Sequence, residues 1–168
     1  MQLQVAGFLD NSLVNGKGIR SVLFVSGCRH NCNGCHNKDM QSYEYGDKVE
    51  IRDIYERIVS NMPLIKGVTF SGGEPFDKAT ELTTLAKMLK EKGLNIWCYT
   101  GYNLENIIEN KKNTQWKELL KNIDVLVDGK FDEEKISNSC KYIGSVNQRI
   151  IDVPRTLTGN GIVIKEVK

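Results

Sequence analysis

The sequence predicts an α/β fold, a partial and open (β/α) barrel of about five or six mainly parallel strands. Three observations lead there. Short β-branched and aromatic runs alternate with segments of helical periodicity, as βα units do. The 168 residues fall short of the roughly 250 of a complete eightfold barrel, at ~30 residues for each βαβ step. The cysteine-rich and glycine-rich stretches follow strand ends, where the active groups of such folds gather.

Taken in order, "RSVLFVS" (20–26) and "GVTFS" (67–71) read as buried strands that run into glycine. Between them Ile51, Ile54, Tyr55, Ile58, Val59 and Met62 recur at helical spacing, and Pro63 marks the stop. A second helix places Leu82, Leu85, Ala86 and Leu89 on one face and meets Gly93, a natural C-terminal cap, before the strand "NIWCYT" (95–100). Leu104, Ile107 and Ile108, then Trp116, Leu119 and Leu120, give two short helical segments ahead of the strand "IDVLVD" (123–128). "RIIDV" (149–153) supplies a last strand, and the residues after Pro154 carry only weak signals. No internal repeat or low-complexity stretch interrupts the chain, so one domain is expected over 1–168.

Composition excludes several classes of function. With 40% hydrophobic and 26% charged residues, the chain has the make-up of an ordinary soluble domain. The net charge of +2 comes from 23 Lys and Arg spread among 21 Asp and Glu, with no basic run to attract nucleic acid. No apolar stretch is long enough to span a bilayer, and "MQLQVAGFLDNSLV" lacks the basic flank and apolar stretch of a signal peptide. A cytoplasmic protein without a membrane or nucleic-acid partner is expected. Thiols stay reduced there, so a tight cysteine group points to metal or redox chemistry rather than disulfides.

That group is "SGCRHNCNGCHN" (26–37), where Cys28, Cys32 and Cys35 stand in C-x3-C-x2-C spacing. One loop of this kind can wrap a single compact centre, each thiolate taking one iron of a cubane 4Fe-4S cluster and one iron staying open. A structural zinc site wants four protein ligands, usually as two separated pairs, and a second pair is missing; zinc stays open as the alternative at this point. His30 and His36 lie too close to the cysteines to complete a tetrahedron comfortably, Cys98 reads as a small core residue and Cys140 as an incidental thiol. The second motif is "FSGGEPF" (70–76). Its paired glycines allow close backbone approach to a ligand, Pro75 fixes the exit and Glu74 adds an acceptor. Such a pair is most often a mere turn; here it follows the cysteine loop by one βα unit.

A C-x3-C-x2-C loop followed by a strand-end "GGEP" resembles the radical S-adenosylmethionine superfamily. The stretches "NGKGIRSVLFVSGC", "CNGCHN", "SGGEPF", "WCYTGY", "DVLVDGKF" and "GSVNQR", in order over 15–149, narrow the resemblance to the anaerobic ribonucleoside-triphosphate reductase activating proteins, which are glycyl-radical activases. The resemblance implies a 4Fe-4S cluster on Cys28, Cys32 and Cys35. It implies S-adenosylmethionine on the open iron, held by Gly34, Cys35, His36, Gly72, Gly73 and Glu74, with Asp128 and Lys130 of "DGK" nearby. Gly34 stands where the wider superfamily has an aromatic residue, which makes His36 the candidate to stack on adenine. Lys17 replaces the proline of the usual Gly-Pro-Gly turn.

The chemistry implied is oxidoreductive. An electron from a donor such as reduced flavodoxin passes through the cluster to the sulfonium, the bond from sulfur to C5′ breaks, and the 5′-deoxyadenosyl radical takes a hydrogen atom from a glycine Cα of the reductase. No catalytic residue is expected beyond the cluster and cofactor ligands. "DVLVDGKF" and "GSVNQR" are expected to shape the mouth through which the reductase enters, with Arg149 and Lys130 as contacts. The alternatives are an activase of another glycyl-radical enzyme, such as pyruvate formate-lyase, or a non-catalytic iron-sulfur or zinc-binding protein.

Overall fold

The computed structural model describes residues 1–167. In chain order these form β1 (Gln2–Ser12), β2 (Arg20–Val25), β3 (Asp47–Glu50), α1 (Ile51–Ser60), β4 (Gly67–Gly72), α2 (Ala79–Glu91), β5 (Asn95–Tyr99), α3 (Leu104–Glu109), α4 (Thr114–Lys121), β6 (Val125–Asp128), β7 (Arg149–Asp152) and α5 (Val153–Thr158). The strands make one sheet in the order β3-β1-β2-β4-β5-β6-β7. Its centre, β2-β4-β5-β6, is parallel, and β1, β3 and β7 run antiparallel on the flanks. The outer strands β3 and β7 do not meet, so the curved sheet stays an open, partial barrel.

The four central strands are buried nearly throughout because both their faces are covered. One row across the sheet, Leu23, Phe70, Cys98 and Leu126, is in register and fully buried. It packs with Ile54 and Ile58 of α1, Leu85 and Leu89 of α2, and Leu119 of α4. At about 1.5–3 kcal/mol for each fully buried aliphatic side chain, this layer is the main source of stability. Cys98 is thus a core residue. The next row, Val22, Thr69, Trp97 and Val125, faces the opposite way; Tyr142 packs edge-on against Trp97 there, with ring centroids 5.5 Å apart.

Arg20 is 2% exposed and joins the amino-terminal parts of three strands. Its guanidinium donates to Thr69 Oγ1 (2.9 Å), to the Val68 carbonyl (2.9 Å) and to the Asn95 carbonyl (2.8 Å). Burial lowers its pKa to about 10, so it remains cationic at neutral pH.

The five strands expected from the sequence are all present, and two more extend the sheet. β1 is half-exposed and broken by irregularities between Val5 and Gly7 and between Leu9 and Ser12, which erases its alternation. β3 is a four-residue edge, "DKVE", with one apolar residue. β7 ends at Asp152 rather than at Val153. The Asp152 carboxylate accepts from the Arg155 N–H and Pro154 occupies the first turn, so α5 starts at once. Among the described residues no helix is long and apolar enough to cross a membrane.

Candidate functional site

The carboxyl ends of β2, β4, β5 and β6 surround an open cavity of about 220 Å³. β2 leaves the sheet through Gly27, whose φ of +99° and closeness to the Tyr43 ring exclude a side chain. The cysteine loop is then closed on itself. Gly27 N–H donates to the Met40 carbonyl (2.8 Å) and Cys28 N–H to the Gln41 carbonyl (3.0 Å), so the 3-10 turn Lys38–Gln41 holds the loop's end against its start. Within it, Gly34 at φ +67° makes the turn that lets Cys32 and Cys35 share a wall.

Cys28, Cys32 and Cys35 all line the cavity and are partly exposed. Burial pushes the Cys28 thiol up to about 11; Cys32 is also raised, by burial and then by Cys35. As free thiols these two are neutral, and metal loading must displace their protons. Among the described residues no three His, Cys, Asp or Glu side chains converge on one ion. A cubane asks something else, a separate iron for each thiolate. Three soft donors spread over one cavity wall fit that requirement.

The other walls come from the strand exits. Gly72 and Gly73 line the cavity, yet the room their missing side chains leave is not ligand space. A Cβ on Gly72 would lie 2.5 Å from the Val25 backbone, and one on Gly73 would lie 2.3 Å from the Gly27 carbonyl oxygen. This corrects the reason for the glycine pair: it lets two strand exits touch backbone to backbone, and the cavity forms beside that contact. Asn37 Nδ2 donates to the Gly72 carbonyl (3.2 Å) and ties the cysteine loop to the pair.

Glu74 stands behind the wall, fully buried. One carboxylate oxygen accepts from Phe76 N–H (2.9 Å) and Thr100 Oγ1 (2.8 Å), and the other from Gly101 N–H (2.9 Å) and lies 2.6 Å from His30 Nε2. Glu74 N–H donates to the Gly27 carbonyl (2.7 Å). This residue therefore locks the exits of β2, β4 and β5 and the cysteine loop together. His36 faces the cavity with Phe131, their ring centroids 4.9 Å apart.

Asp128 is also interior, at 1% exposure. It accepts from Leu104 N–H (2.8 Å) and from Arg149 Nε (2.9 Å), while the rest of the Arg149 guanidinium grips Glu105 bidentately at 3.0 and 2.8 Å. These hydrogen bonds raise the Arg149 pKa and draw the Glu105 carboxyl down to about 2. Arg149 is thus held between β6 and α3. Lys130 is exposed on an adjoining groove, outside the lining of the cavity.

Sequence reasoning does not single out His30, Thr100, Gly101, Phe131 or Gln148, all of which line the cavity. The stretches "WCYTGY", "DVLVDGKF" and "GSVNQR" contain all of these but His30, so the segments were signalled and the individual side chains were not. Gln148 earns its place by folding: Nε2 donates to the Gly129 carbonyl (2.9 Å) and Oε1 accepts from Gly144 N–H (2.8 Å), which draws the β6–β7 loop over the site.

Residues 14–151 match the family described as a 4Fe-4S single cluster domain. The chain is 34% identical over 151 residues to the anaerobic ribonucleoside-triphosphate reductase-activating protein of Pasteurella multocida, covering 85% of this chain and 93% of that one. The proteins of the same name from Enterobacteria phage T4 and Escherichia coli K12 are 34% and 33% identical, over 82% and 81% of this chain and 86% and 90% of theirs. Among solved structures, QueE from Escherichia coli superposes with a TM-score of 0.50 at 17% identity, over 60% of this chain and 53% of QueE, a likeness of fold alone. The cysteine loop, the glycine exit and the late "GSVNQR" loop all lie inside the matched residues, and the chain belongs to the family of anaerobic ribonucleoside-triphosphate reductase-activating proteins.

Proposed function

We propose that the protein activates an anaerobic ribonucleoside-triphosphate reductase by installing a glycyl radical in it, with a 4Fe-4S cluster on Cys28, Cys32 and Cys35 and S-adenosylmethionine beside it. The observation that carries this reading is the sharing of one open cavity by three thiols of a single loop and the exits of four parallel strands. Once reduced, by a donor such as flavodoxin, the cluster and S-adenosylmethionine together supply removal of a hydrogen atom from a glycine Cα.

The chain's own residues bind, orient and admit. Cys28, Cys32 and Cys35 give up their protons and ligate. Gly34 sets the turn between two of them. His36 and Phe131, neighbours in the cavity lining, offer aromatic faces to adenine. Glu74 acts at one remove, holding His30 and the Gly101 N–H in position. Asp128 likewise fixes the start of α3 through Leu104. The open cavity leaves room for a glycine presented by a partner, and Lys130 lines the adjoining groove.

The test is anaerobic reconstitution with iron and sulfide, then reduction with S-adenosylmethionine beside either the organism's own anaerobic reductase or pyruvate formate-lyase. Electron paramagnetic resonance should show a glycyl doublet in the reductase. A doublet confined to the lyase overturns the choice of partner; none in either overturns the radical chemistry.

A further inference from the structure

Between Cys28 and Cys35 the side chains of the cysteine loop part company. Arg29, Asn31, Asn33 and Gly34 are exposed, whereas the His30 side chain is 7% exposed and turned inward. The spacing of the thiols accounts for the cysteines. It does not account for a buried imidazole between two of them.

Three neighbours receive the ring. Tyr102 meets it edge-on, with ring centroids 4.4 Å apart. Gly101, just past the end of β5, makes room for it: a Cβ there would stand 2.5 Å from His30 Cδ2. The third neighbour is Glu74, whose Oε2 lies 2.6 Å from Nε2. That oxygen also accepts from Gly101 N–H (2.9 Å). A carboxylate only accepts, so Nε2 carries the hydrogen and donates it.

The bond joins two parts of the site. The other partners of the Glu74 carboxylate, Phe76 N–H, Thr100 Oγ1 and Gly101 N–H, belong to the exits of β4 and β5, while His30 comes from the cysteine loop. At the loop's far end Asn37 reaches the Gly72 carbonyl. Cys32 lies between these two side-chain ties, and Asn31, at φ +49°, turns the chain between His30 and Cys32. The His30 N–H also hydrogen-bonds the Cys28 sulfur. One residue thus touches a thiol through its main chain and the strand exit beside Gly73 through its ring. With its other side chains in solvent, the middle of the loop has little else to hold it.

We infer that His30 is a positioning residue: it fixes the cysteine loop, and the cluster the loop carries, against the Gly72–Gly73 exit for S-adenosylmethionine to bind between them. The inference rests on the cluster and cofactor proposed above. Without the tie the three thiols can still ligate. The loop then samples more arrangements, and affinity falls with the fraction that is competent to bind.

The test compares three variants, each reconstituted anaerobically with iron and sulfide. His30→Ala removes the tie, and His30→Gln keeps an amide donor for Glu74. Gly101→Ala leaves His30 in place and crowds its ring off the carboxylate. Iron and sulfide per chain, the dissociation constant for S-adenosylmethionine by calorimetry, and the electron paramagnetic resonance spectrum of the reduced cluster are read. All three should keep about four irons per chain. His30→Ala and Gly101→Ala should bind S-adenosylmethionine roughly 10-fold more weakly, as loss of one hydrogen bond to a charged group implies. Their reduced clusters should be spectroscopically heterogeneous before any S-adenosylmethionine is added, which loss of a mere ligand contact would not produce. His30→Gln should return both readings close to wild type. Wild-type affinity and spectrum in His30→Ala or in Gly101→Ala overturn the inference. A defect in His30→Gln as large as in His30→Ala also overturns it, as does iron lost in step with affinity, which would make His30 a requirement of assembly. A wild-type protein that takes up no 4Fe-4S cluster, or takes one up and does not bind S-adenosylmethionine, overturns the underlying reading as well.

Discussion

Gly73→Ala should destabilise the protein in the absence of any ligand. A Cβ at this position would sit 2.3 Å from the Gly27 carbonyl oxygen and 2.8 Å from both the Gly27 carbonyl carbon and the Met40 carbonyl oxygen. All three are backbone atoms, so no side chain can swing aside. Relief requires the β2 and β4 exits to part, which stretches the two hydrogen bonds between them, Glu74 N–H to the Gly27 carbonyl (2.7 Å) and Gly73 N–H to the Val25 carbonyl (2.7 Å). Two such bonds at about 1 kcal/mol each, plus at least ~1 kcal/mol for overpacking, come to about 3 kcal/mol. For a chain of this size, that lowers Tm by about 6–12 °C. Thermal unfolding of the metal-free protein followed by circular dichroism measures it. An unchanged Tm combined with weaker S-adenosylmethionine binding would refute the reasoning and return Gly73 to the role of leaving space for a ligand.

Further outcomes follow from the same geometry. Cys28→Ala, Cys32→Ala or Cys35→Ala should each remove the cluster, taking iron from about four per chain to near zero; Cys98→Ala and Cys140→Ala should keep it, as iron and sulfide assays will tell. Phe131→Ala should weaken S-adenosylmethionine binding about 10-fold with the cluster intact, the loss expected for one base-stacking surface, and calorimetry on the loaded protein would detect it. The low Glu105 pKa has a definite sign. Its folded value, about 2, lies below the ordinary one, so its contribution to stability is present above about pH 4.3 and disappears as pH falls toward 2. Glu105 is half exposed, which limits the effect to under about 1 kcal/mol; Glu105→Gln should flatten the dependence of urea unfolding on pH over that window.

The parts of the fold that were legible are those whose burial is two-sided. β2, β4, β5 and β6 announce themselves because each is centred on a short run of β-branched and aromatic residues, and α1 and α2 because one face is apolar. β1 was not legible: its eleven residues, Gln2 to Ser12, carry a burial pattern that never settles into alternation. β3 had only Val49 to show. At the site, the positions of the three cysteines and the glycine pair on the cavity were legible because each motif follows a strand end, while the backbone contact that requires the glycines was not. His30 was not, since what brings it into the wall is Glu74, 44 residues away. The same is true of Phe131, which meets His36 only after β6 has joined the sheet. Glu74 shows the converse: its motif marks the place, while only its four partners reveal that the carboxylate faces inward.

The buried Arg20 has a practical consequence. It fastens β2, β4 and β5 near the ends where they begin, while the thiols and glycines gather where those strands finish, roughly 20 Å away along a six-residue strand. Rigidity and reactivity thus occupy opposite rims of the same sheet. Substitutions that toughen the far rim can be introduced for heat tolerance without touching the rim that carries the cavity.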